Sequence, residues 1–218
     1  MKTDPSSPVQ VAGHRSLLAG ALVAAYVLTA LAALIVAHLT PGRSTGSLLR
    51  EAGRATGLVG FSLLALQVVL AARLGLLDRA FGLGRVMKFH KAMGVATVVL
   101  LLAHPVLLAL DIGNAHLFSF ETGWRVNLGK AALALLILAA AAMICCTRAV
   151  KYLIRRFLHG VAAPVAVFLG AAHGLVIGSD LRASAVLRGW WWVLIGVAAT
   201  AVLYRKVYVR FQDLRRST

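Results

Sequence analysis

Six apolar stretches, at about 16–40, 57–77, 87–110, 128–147, 157–177 and 189–205, fill most of this 218-residue chain. Each qualifies or nearly qualifies as a bilayer-spanning helix, since a hydrocarbon core about 30 Å thick needs roughly 20 apolar residues. Lipid offers no water to the peptide groups, so a spanning segment must satisfy its own backbone hydrogen bonds, and the apolar runs are read as helices. With 60% hydrophobic and only 14% charged residues, an ordinary soluble domain is excluded. The expectation is all-α: a bundle of six transmembrane helices over 16–205, with a cytoplasmic N-terminal segment at 1–15 and a basic cytoplasmic tail at 206–218. The first apolar stretch is too long for a removable signal peptide, and no small-residue cleavage site follows a short apolar core. It is kept as the first helix.

In a soluble protein a net charge of +16 would point to nucleic acid. In a membrane protein the placement of the charge matters more, because Lys and Arg concentrate on the cytoplasmic side. With the N-terminus inside, 16 of the 23 basic residues fall on that side, and 7 fall outside: Arg43, Arg50, Arg54, Arg125, Lys130, Arg182 and Arg188. Both termini are therefore predicted cytoplasmic, in a plasma membrane of bacterial type, with lipid and not nucleic acid as the surrounding partner. The joining loops are short, so successive helices are expected to run antiparallel. Cys145 and Cys146 are adjacent near the cytoplasmic end of the fourth span, a poor geometry for a mutual disulfide and a reducing location. They read as small apolar residues, and without a C-x-x-C-H sequence no covalent haem attachment of the usual c type is expected.

Four of the seven histidines lie in two spans, His90 and His104 in the third and His159 and His173 in the fifth. Both pairs are spaced i, i+14. Fourteen residues come within roughly 40° of four full helical turns and rise about 21 Å, so each helix presents two imidazoles on one face, one near each membrane surface. The third and fifth spans run in the same direction, which sets His90 level with His159 and His104 level with His173. Facing helices hold a haem by giving one axial nitrogen from each side of its plane, and two stacked haems would use all four imidazoles.

Other readings compete. An intramembrane His can be a packed residue bonded to a neighbouring helix, which leaves a haem-free transporter or structural bundle open. A single zinc ion is disfavoured, because its ligands must converge, whereas the members of each pair lie about 21 Å apart along the helix. A proton relay would want carboxylates or closer groups. Gly94, Gly160, Gly170 and Gly174 near these histidines would admit a flat macrocycle or a neighbouring helix. Pro164 lies between the two histidines of the fifth span and could kink it. His14, His38 and His116 have no partner at the same spacing and are not expected to be ligands.

The residues resemble the ferric reductase-like transmembrane domain, shared by ferric-chelate reductases and NADPH oxidases, from about Gly53 to the end of the sixth span. The resemblance is carried by Phe89-His90-Lys91, by His104-Pro105, and by the stretch from Arg155-Arg156 through His159 to Ala172-His173-Gly174. Leu77-Asp78-Arg79-Ala80-Phe81-Gly82-Leu83 adds to it. It implies a diheme cytochrome b in which His90 and His159 bind the iron of an inner haem b and His104 and His173 that of an outer one. Electrons would come from FAD or FMN on a cytoplasmic reductase domain or protein and leave to an acceptor outside. No G-x-G-x-x-G in a βαβ context occurs here, so the flavin would sit on a missing domain or a separate partner.

Haem propionates favour basic partners. Arg54 and Arg73 are the cofactor-binding candidates, with Arg85, Lys88, Lys91, Arg155 and Arg156 also in range inside and Arg125 outside. In the oxidases a His lies one turn beyond the outer ligand of the third span. Here that position is Leu108, a departure that puts superoxide production in doubt. A stand-alone haem subunit feeding a periplasmic reductase, similar to the membrane partner of methionine-sulfoxide repair systems, is the alternative within the same class.

Overall fold

The computed structural model of the chain describes residues 8–42, 46–113, 115–145 and 152–209. Eight α-helices are described: α1 (Pro8–Leu39), α2 (Leu48–Ala71), α3 (Gly75–Phe81), α4 (Leu83–Ile112), α5 (Trp124–Cys145), α6 (Tyr152–Ile177), α7 (Ser179–Ala183) and α8 (Ala185–Leu203). Among the described residues six helices (α1, α2, α4, α5, α6 and α8) are long and apolar enough to cross a membrane. This is the six-span, all-α architecture expected, and the chain is an integral, multi-pass membrane protein. The end at which α1 begins is called inner here and the opposite end outer.

The spans are longer than their apolar cores because polar residues cap and extend them. Ser47 accepts a hydrogen bond from the Arg50 backbone N–H, so α2 starts nine residues before the apolar run that predicted it and carries Arg54 inside its second turn. It also ends earlier than predicted. Arg73 takes a positive φ of 57°, which L side chains rarely adopt and which stops a helix; the rest of the predicted stretch belongs to α3. At the inner end the Arg205 guanidinium donates to the carbonyl of Ala71, tying the end of α8 to the end of α2 and satisfying an orphan carbonyl there.

The bundle is built around α2. Half of its apolar window is buried, against 11–28% for the other spans. It packs along its length on α4, with α1 and α8 also against it, while α5 and α6 form a second long pair. The α2–α4 contact is close because glycines recur on the facing side. A Cβ added at Gly53, Gly57 or Gly60 would come within 3 Å of Leu108, His104 or Leu101 respectively. Such small-residue stripes let membrane helices approach where lipid gives no hydrophobic drive to associate. Phe61 of α2 stacks on Trp191 of α8, ring centroids 4.0 Å apart, and the Trp191 indole N–H donates to Ala171 of α6 at 3.3 Å. The remaining apolar side chains, such as Leu28, Val95 and Val193, stay exposed on the outside of the bundle and meet lipid. Trp124 is exposed at the outer start of α5, where amphipathic indole rings settle at a membrane–water boundary.

Candidate functional site

The two helices that carry the four histidines, α4 and α6, lean on different partners, α2 and α5. Their histidine faces meet across the space between the two helix pairs. His90 faces His159 with ring centroids 6.2 Å apart and planes at 87°. His104 faces His173 at 6.5 Å and 79°. The equal spacing on two helices thus produces two level pairs, as the sequence spacing predicts. Midway along each helix, Thr97 and Ala166 are buried to 1% and 0% exposure.

The separations have a chemical meaning. A metal between two imidazoles sits about 2 Å from each nitrogen, and with roughly 1.1 Å more from nitrogen to ring centre the centroids lie about 6 Å apart. Both pairs match that distance, so the residues present fit an iron held axially from two sides. Among the described residues no three His, Cys, Asp or Glu side chains converge on one point, and each level offers two protein ligands.

The outer pair has its far nitrogens fixed. His104 Nδ1–H donates to the carbonyl of Gly53 at 2.7 Å, and His173 Nδ1–H donates to the carbonyl of Arg125 at 2.9 Å. A carbonyl can only accept, so the proton must be on Nδ1 and the lone pair on Nε2. This is the tautomer and orientation that metal-ligating histidines need. The inner pair differs: Nδ1 of His90 and Nδ1 of His159 are buried and reach no partner in good hydrogen-bond geometry. The backbones of Gln67 and Ala139 meet them only as weak partners.

The glycines expected to admit a macrocycle or a neighbouring helix divide. Gly160 meets nothing within 4 Å, and Gly94 meets only the Gln67 side-chain oxygen, at 3.9 Å. Gly170 and Gly174 make room for Phe61 and Trp191, serving helix packing. The glycines that touch imidazoles are Gly57 and Gly129, where an added Cβ would lie 2.7 Å from His104 Nδ1 and 2.8 Å from His173 Cε1. Neither was singled out by motif. The signal available was Gly57's place in the Gly53-x-x-x-Gly57 stripe on a predicted span; Gly129 carries no comparable mark.

The basic candidates divide. Arg54 is mostly buried, 3.1 Å from Glu51 and 4.0 Å from the buried Asp180, so it belongs to a charged cluster at the outer end joining α2 to α7. Arg73 is exposed at the inner end of α2. Arg85, Lys88 and Lys91 are exposed on the first turns of α4, and Arg125 is exposed over the Trp124 ring at 5.6 Å. Leu108 packs against Gly53 in the α2–α4 contact. His38 is an exposed residue bonded to its own helix at Leu34. The side chains of His14, His116, Cys145, Arg155 and Arg156, and all of Cys146, lie outside the described residues.

No curated protein and no solved structure is matched significantly by the chain. A family model described as "Ferric reductase like transmembrane component" matches residues 56–170. That stretch is more than half of the chain and holds His90, His104, His159 and the closely packed parts of α2, α4 and α5. The chain therefore belongs to the ferric reductase-like transmembrane family.

Proposed function

We propose that this protein conducts electrons across the membrane through two b-type haems, one at each histidine level. The observation that carries the reading is the pair of facing imidazole couples at 6.2 and 6.5 Å, a spacing suited to one iron each. His90 and His159 would hold the inner group, and His104 and His173 the outer. Bound haem would supply reversible one-electron chemistry.

The protein's own contribution is positional. α2 and α5 brace the ligand helices from behind, which fixes the levels. The Gly53 and Arg125 carbonyls hold the outer imidazoles with Nε2 directed across the gap. The apolar walls exclude water, and low polarity around a redox centre tunes its potential. Arg54 at the outer level and Arg73 at the inner one are the proposed propionate partners, since guanidinium groups pair with carboxylates by charge and hydrogen bonding.

With the inner end toward the cytoplasm, as the basic residues favour, electrons enter from a reduced flavin on a cytoplasmic reductase and leave to an acceptor outside. The membrane would be the bacterial plasma membrane. The test is a dithionite-reduced minus oxidised absorbance spectrum of the purified protein, with haem quantified per chain. A b-type spectrum near two haems per chain, diminished in His90→Ala and in His104→Ala, is the expected result. A colourless protein from haem-replete cells would overturn the reading.

A further inference from the structure

The two histidine levels are braced by the same kind of neighbour, a helix backbone, yet only the outer one is firmly bonded to it. In an α-helix the carbonyl of residue i already accepts from the N–H of residue i+4, and a side chain at i+4 stands over that carbonyl. At the outer level both i+4 positions are glycine. Gly57 follows Gly53 and Gly129 follows Arg125, and a Cβ at either would come within 3 Å of the imidazole that bonds the carbonyl. At the inner level the corresponding residues after Gln67 and Ala139 are Ala71 and Met143, and the imidazoles meet those two backbones only weakly, outside good hydrogen-bond geometry.

We infer that Gly57 and Gly129 are positioning residues that seat the outer imidazoles on backbone carbonyls and thereby set the electron affinity of the outer haem apart from that of the inner one. The inference rests on the haem reading above. A firm Nδ1–H···O=C bond makes an imidazole a stronger donor to its metal, which favours the ferric state. The outer iron would then be the harder of the two to reduce.

A second group reports on the same carbonyl. The Thr56 hydroxyl donates to the Gly53 oxygen at 2.9 Å, sharing itself with the Ala52 oxygen at 3.0 Å. It therefore competes with His104 for the acceptor. Removing that hydroxyl should strengthen the histidine's bond, while adding a methyl at Gly57 should lengthen it. The two changes are neighbours on one turn and must act in opposite directions.

The experiment is a spectroelectrochemical titration of the full chain in detergent, with haem counted per chain. His104→Ala identifies the outer component, and Gly20→Ala, where nothing lies within 4 Å, serves as control. The expected results are a raised outer midpoint potential in Gly57→Ala and Gly129→Ala, or selective loss of the outer haem in either, and a lowered outer potential in Thr56→Val, with the inner component unmoved in all three. If Gly57→Ala does not fold, Thr56→Val decides alone. Unmoved potentials, both haems moving together, or the two α2 variants shifting the same way would overturn the seat. A colourless wild-type protein would instead overturn the haem reading, before any variant is read.

Discussion

The outer and inner histidine levels are built from the same parts, two imidazoles on α4 and α6 braced by α2 and α5, and they differ in how their polar atoms are satisfied. At the outer level both Nδ1 atoms reach carbonyls, and nearby Arg54 is paired with carboxylates. At the inner level both Nδ1 atoms meet the Gln67 and Ala139 backbones only weakly, and both polar atoms of the Gln67 amide are buried without a hydrogen bond. A buried polar group left unpaired costs about 1–3 kcal/mol, so the inner level carries a penalty at Gln67 that the outer imidazoles do not. The fold fixes ligand orientation more firmly at the outer level than at the inner one.

The largest expected effects come from the ligands themselves. His104→Ala or His173→Ala should remove one haem of the proposed pair and spare the other, and His90→Ala or His159→Ala should do the reverse; haem per chain and the reduced spectrum check this. If the better-braced outer level also retains its haem more firmly, partial extraction with a haem-scavenging apoprotein should empty the inner site first. Simultaneous loss from both levels would break the comparison.

Gly60→Ala probes the waist between the levels. Its Cβ would meet Leu101 at 2.9 Å, and overpacking of this kind costs typically 1–3 kcal/mol. Thermal unfolding in detergent should show lower stability with neither level selectively affected. A selective effect on one haem would show that the α2–α4 contact serves that level in particular.

Gln67→Leu tests the inner level's unsatisfied amide. Removing a polar group that has no protein partner should raise the stability of the haem-free protein by about 1 kcal/mol. A fall would reveal a partner, such as an ordered water, that makes the inner level as well satisfied as the outer. The smallest effect is expected from Arg73→Ala, whose exposed guanidinium should contribute no more than the 0.2–1 kcal/mol or so of a surface ion pair to retention of the inner haem. Arg54→Ala, which removes one charged partner of the buried Asp180, should be worse tolerated.

Much of this was legible beforehand. Apolar length marked six spans, because a bilayer permits few alternatives to a helix, and the 14-residue spacing marked two histidine levels, because helical periodicity is rigid. The helix ends were less legible: Ser47 capping α2 and Arg73 breaking it are local backbone choices that apolar counting does not register. The glycines were legible only in part for a related reason. Gly170 and Gly174 lie close to His173 in sequence yet make room for Phe61 and Trp191, while Gly57 and Gly129 lie far from the histidines they touch.

The sequence by itself determined the class of fold, the membrane setting and which four imidazoles share which level, since these follow from apolar length, helical periodicity and the alternating direction of successive spans. Only the tertiary structure decided which helix backs which histidine, and hence which carbonyl receives each Nδ1–H. That depends on how close two helices come and on which residue of the neighbour faces the ring. Such facts arise from packing between distant segments, and periodicity along one segment does not contain them.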